Sequence, residues 1–112
     1  MAINIIEKEV SVSTKDLPDE FQISVAIGDG QPGSYAFFLQ GDILGSNQAI
    51  ELRTPEIKGK TLTVSATVTD ERTETNWTSV TVTADDLEFG PYSSEVKEQG
   101  ELAIYTIKLK FK

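Results

Sequence analysis

The residues of this chain whose types could do chemistry are acids in turn-like stretches: Asp29 in GDG, Asp42, the run Asp70, Glu71, Glu74 and Asn76, and then Asp85, Asp86 and Glu88. Oxygen-only donors of this kind suit a hard cation. Calcium takes six to eight oxygens, and loops gathered at one end of a sandwich can converge to supply them. On that reading Asp29, Asp70, Glu74, Asp85 and Asp86 are the metal candidates. Against it, no D-x-[DN]-x-[DN]-G run is present, and a chain with 18 acidic residues places some of them side by side in wet turns anyway. The expectation is therefore no bound cofactor, with calcium as the alternative.

Histidine and cysteine are both missing from the sequence. No imidazole base, Ser–His or Cys–His nucleophile, thiolate site or disulfide can be built. Neither a GxGxxG nor a phosphate loop ending in Gly-Lys-Ser/Thr occurs. Paired carboxylates across a deep cleft, as in glycoside hydrolysis, are the chemistry left over, and a domain this small seldom offers the cleft. The chain reads as a non-enzyme. Its formal charge of −8 opposes a phosphate backbone, so nucleic acid is not an expected partner. Lys108, Lys110 and Lys112 alternate along the last strand, where they read as edge protection.

Aromatic and aliphatic residues supply the interaction candidates. Trp77, the single tryptophan, is out of phase with Val80, Val82 and Ala84. It points outward unless a bulge turns it into the core. Tyr35 and Tyr92 stand beside Gly/Pro turns, and with an exposed Trp77 they could stack on a sugar ring or anchor a protein interface. The first strand, INIIEKEVSV, has charge in its middle but a bare patch at Ile3 and Ile5. Such an edge can pair with a second subunit or another protein.

The elements that must position these residues are strands. Apolar and polar residues alternate with period two over 21–27, 61–69, 80–84 and 105–111. Gly, Pro, Asp and Asn punctuate the chain at DLPDE, GDGQPG, GDILGSN, TPEIKGK and EQGE. The pattern predicts strands near 3–13, 20–28, 34–40, 48–53, 60–69, 77–84 and 101–111, with a further short one around 86–97. Seven to eight short strands without helical crossovers predict an all-β, antiparallel β-sandwich, with a small antiparallel barrel as the alternative. Residues 1–112 read as a single domain. The strands at 60–69 and 77–84 are expected to pair as a hairpin, with Glu71 to Thr75 at its tip.

The stretch KGKTLTVSATVTDERTETNWTSVTVTA, residues 58–84, resembles the penultimate and last strands of bacterial immunoglobulin-like domains of the cadherin-like and Big types. The likeness lies in L-x-V-x-A-x-V-x-D, followed by a polar turn and a Thr/Val-rich strand, and it implies a sandwich. Two features depart from the family: a strong strand follows where such domains usually finish, and there is no cysteine pair. Nothing approaches the ~18 consecutive apolar residues of a membrane span, so membrane insertion is not expected. MAINIIEKEVSV lacks a basic n-region, which predicts a cytoplasmic protein or one exported without a cleavable signal. The function expected from this sum is that of a structural or protein-interaction module, a homo-oligomer or part of a tail, capsid, secretion or surface apparatus. The alternative is a module that binds a glycan or calcium through Trp77 and the acidic loops.

Overall fold

The computed structural model describes residues 3–71, 75–96 and 100–112. Among these residues nine strands form two packed sheets: β1 (Ile3–Val12), β2 (Glu20–Ile27), β3 (Gly33–Leu39), β4 (Asp42–Ser46), β5 (Ile50–Arg53), β6 (Thr61–Thr69), β7 (Trp77–Ala84), β8 (Leu87–Glu95) and β9 (Leu102–Phe111). One sheet has the order β1-β9-β6-β3-β4 and the other β5-β2-β7-β8. The sheets do not close into a barrel, so the fold is a β-sandwich. A single helical turn, α1 (Thr54–Ile57), has Pro55 in its first turn, where the missing N–H costs nothing.

The core follows from the period-two alternation. On β6, Leu62, Val64, Ala66 and Val68 are fully buried, while Thr61, Thr63, Ser65, Thr67 and Thr69 lie on the other face. On β9, Ala103, Tyr105, Ile107, Leu109 and Phe111 point inward. Phe21 and Ile23 of β2, with Val80, Val82 and Ala84 of β7, meet them from the second sheet. Each buried Leu, Ile, Val or Phe side chain contributes roughly 1.5–3 kcal/mol through removal from water.

Four expectations are corrected. The strands at 60–69 and 77–84 do not pair: β6 belongs to the five-stranded sheet and β7 to the four-stranded one, so the chain between them crosses the sandwich. Thr81 and Thr83 therefore lie on a different sheet from the β6 threonines. The strand pairs are not all antiparallel, because β1 runs parallel to β9, from Ile3↔Leu102 to Val12↔Phe111. Nor is β9 an edge. It sits between β1 and β6, so Lys108 and Lys110 stand on the outer face of the sheet and do not guard a rim. The fourth correction is β4, which occupies what reads as the GDILGSN turn. A two-residue connection, Gln40 and Gly41 with φ of 50° and 91°, closes the β3–β4 hairpin at Leu39↔Asp42. Two successive positive φ values match the right-handed twist of the strands.

Candidate functional site

Register places the outer face of the five-stranded sheet in rows. Ile3 is beside Leu102 and Thr69; Ile5 is beside Ile104 and Thr67. One step on, Glu7, Thr106 and Ser65 align, followed by Glu9, Lys108 and Thr63. The face thus divides into an apolar end and a charged end. Ile3 is 49% exposed and Ile5 67%, with Leu102 and Ile104 half-buried next to them. At the charged end Lys110 forms an ion pair with Glu9, and its hydrogen bond and charge hold the Glu9 carboxyl below the usual carboxylate range.

β1 has β9 on one side and no strand on the other among the described residues. Its described ties to the facing sheet edge run through side chains. Asn4 donates to Ser94 Oγ at 3.0 Å and to the Glu95 carbonyl at 2.8 Å. The Lys8 ammonium lies 5.9 Å from the centre of the Tyr92 ring.

The three aromatic candidates are not brought together. Trp77 is 46% exposed and points outward with Ser79, Thr81 and Thr83. The bulge does occur, but on the neighbouring strand: Val80↔Tyr92 is followed by Val82↔Phe89, so β8 carries the extra residue around Gly90 and Pro91. β7 keeps its phase. Tyr35 faces inward and half-buried, its ring edge-on to Phe37 at 5.7 Å. Tyr92 also packs against the core, and burial pushes its phenol up from the ordinary value. Among the described residues Trp77 thus stands without the aromatic stacking partners that a sugar platform would use.

The acidic candidates are split between the two ends of the sandwich. Antiparallel pairing of β2 with β7 puts the Asp29 turn near Trp77, and puts Asp85 and Asp86 at the opposite end with Gln22 and Glu20. Asp42 starts β4 at that far end too. Glu74 lies outside the described residues. Among the described residues no group of three or more His, Cys, Asp or Glu side chains is placed to hold a metal.

At the Asp29 end the chain builds a buried polar cluster that sequence reasoning identified only in part. Gln31, from the β2–β3 connection, is buried and reaches across the sandwich. Its amide nitrogen donates to Asp70 Oδ1 at 2.6 Å and to the Trp77 carbonyl at 3.2 Å. Its amide oxygen accepts from the Glu71 N–H at 2.9 Å. Beside this cluster the Tyr105 hydroxyl donates to the Thr78 carbonyl at 3.1 Å and lies 2.7 Å from Thr78 Oγ1. Thr78 Oγ1 in turn reaches the Ser94 carbonyl at 3.1 Å. In the sequence, the one signal for Gln31 is its place in a Gly/Pro turn, which ordinarily marks a wet residue.

Burial raises the Tyr105 phenol above its ordinary value, the Thr78 hydrogen bond opposes this, and Asp29 adds to the rise. A raised folded value means the contribution is fully present below the unfolded tyrosine value of about 10 and is lost as pH climbs through the folded one. Thermal melts across the alkaline range should therefore fall above pH ~10. Tyr105→Phe should be less stable at neutral pH and show a shallower alkaline fall. An identical alkaline slope in both proteins would contradict the assignment.

The structure also shows an apolar groove that sequence reasoning missed. It has a volume of about 450 Å³ and runs along the β4 and β5 edges, lined by Leu39, Leu44, Ile50, Leu52 and Ile57 under a charged rim. Leu44 of β4, which lines it, is 40% exposed, whereas Ile43 pairs with Phe38 on the outer sheet face. Reading 41–47 as a turn hides Leu44 and the β4 edge that closes the groove.

Comparison of the chain with protein-family models, with curated proteins and with solved structures gave no match.

Proposed function

We propose that this protein is a non-enzymatic structural module that works by protein–protein contact, as a homo-oligomer or within a larger assembly of the tail, capsid, secretion or surface type. The observation that supports the reading best is the apolar end of the outer sheet face. Ile3 and Ile5 are exposed on an edge strand, flanked by Leu102 and Ile104. A strand edge of this kind offers main-chain N–H and C=O groups, and the adjacent isoleucines add apolar area that association would bury. The nearby Glu7, Glu9, Lys108 and Lys110 give the same face a charged margin that can set register. The likeness of residues 58–84 to bacterial immunoglobulin-like domains supports a sandwich and no more, because the two strands that carry it lie in different sheets.

Light scattering and sedimentation across a dilution series test the proposal, together with capture of partners on the immobilised chain. Association should be weakened by Ile5→Lys at least tenfold, the order expected from losing one buried isoleucine. The fold should survive, since the residue is exposed. A strict monomer at high concentration that captures no partner would sink the reading. A glycan panel followed by Trp77 fluorescence tests the ligand-binding alternative, for which Trp77 exposure is the supporting observation.

A further inference from the structure

We infer that Asp70 and Glu101 form a site for a divalent cation of the calcium class at the Gln31 end of the sandwich. The register of β6 with β9 runs through Thr69↔Leu102, and the next pair is Asp70 opposite Glu101, joined by Asp70 N–H donating to the Glu101 carbonyl at 3.0 Å. Both side chains share the inward parity of Val68 and Ala103. Asp70 is 0% exposed and Glu101 7%.

Two acids directly opposite on neighbouring strands repel one another, and burial out of water amplifies the cost. Gln31 satisfies Asp70 Oδ1, but its amide is neutral and offsets no charge. Asp70 Oδ2 and Glu101 Oε2 are both buried and have no hydrogen-bond partner. Among the described residues no lysine or arginine pairs with either acid. Among the described residues this pair of buried, opposed carboxylates, with one unsatisfied oxygen each, has no positive partner, and a cation between them supplies one.

The donors are all oxygen, which selects a hard ion. Calcium takes neutral carbonyls and water alongside a small number of carboxylates, and magnesium demands a tighter octahedron. The Thr75 and Trp77 carbonyls, which face the same Gln31 amide, bring neutral oxygens to this end. With two acids in the set, the affinity should fall in the weak class, on the order of 10⁻⁴–10⁻³ M. The proposal is independent of the contact surface on β1, which lies on the outside of the sheet.

The test is a calcium titration of the EDTA-stripped protein, with magnesium in parallel, read by thermal melting and by Trp77 emission. Asp70→Asn and Glu101→Gln are the variants. The Asp70→Asn change keeps a side-chain oxygen to accept from Gln31, so that variant should fold. Calcium in several-fold excess over its dissociation constant should raise the wild-type Tm by roughly 5 °C or more. Trp77 emission should change with the same midpoint, because its carbonyl shares the Gln31 amide. Each variant should bind calcium at least tenfold more weakly. In EDTA each should melt above wild type, since the opposed charge is gone, and in calcium the order should reverse. A wild-type Tm that is the same in EDTA and in calcium would overturn the site, as would variants that respond to calcium as wild type does. If one variant fails to fold, the other and the wild-type titration still decide.

Discussion

Phe37→Ala is expected to destabilise the fold by about 3–5 kcal/mol, the range for a large aromatic deleted from a packed core. Against a total of about 5–15 kcal/mol for a domain of this size, that would leave the protein near the edge of unfolding. Phe37 is fully buried at the middle of β3, in register with Val64 of β6 and Gly45 of β4. The place in that range depends on how far the cavity can collapse. Here collapse is restricted, because the β4 neighbour has no side chain to swing inward. A Cβ at Gly45 would already sit 3.0 Å from the Ile50 methyl. The loss should also release Tyr35, whose ring packs edge-on against Phe37. Phe38 is the internal control: it is one residue on, on the outer face beside Thr63 and Ile43 and only half-buried. Phe38→Ala should cost less than about 1.5 kcal/mol. Urea denaturation of the two variants reads the difference, and equal losses would mean the strand phase is wrong.

How much of this was legible in the sequence depended on whether alternation survived. β2 and β6 show it along their length, β7 from Val80 and β9 from Tyr105, and their inward and outward faces follow from it directly. β8 was visible only as a short strand around 86–97, because the extra residue at Gly90 and Pro91 shifts the phase between Phe89 and Tyr92. β4 was hidden altogether. It is five residues long, carries an irregularity opposite Phe37 and Phe38, and is bracketed by Gly41 and by Asn47 at φ 55°. Pairing partners were less legible than strands. The β6–β7 connection looks like a hairpin locally, and only the packing of two whole sheets decides that it crosses between them. The same limit applied to the candidate sites. Asp70 stood out as an acid near a turn, but Glu101 did not, since the two are far apart in the chain and meet only through the β6–β9 register. Ile3 and Ile5 were legible as a bare patch, whereas the contribution of Leu102 and Ile104 came from the parallel pairing of the first strand with the last.

Gln31→Ala should be the most damaging polar substitution in the molecule, costing roughly 1–3 kcal/mol in EDTA, chiefly from the buried Asp70 carboxylate left without its donor. Gln31 touches both sides of the polar cluster. Removing it takes the donor from Asp70 Oδ1, the acceptor from the Glu71 N–H, and the donor facing the Trp77 carbonyl. Asp70 Oδ2 already has no hydrogen-bond partner, so the change leaves a buried carboxylate with neither oxygen served by Gln31. Trp77 gives the local readout: its emission should shift in the folded variant, because the amide that holds its carbonyl is gone. Gln31→Glu separates shape from charge. It keeps an oxygen for the Glu71 N–H, loses the donor to Asp70, and adds a third acid beside the opposed pair. In EDTA it should be at least as unstable as Gln31→Ala despite preserving volume. In millimolar calcium it should recover more than the alanine variant, because the added carboxylate is another ligand for a cation at Asp70 and Glu101. Equal calcium responses in the two variants would leave Gln31 a purely structural clasp.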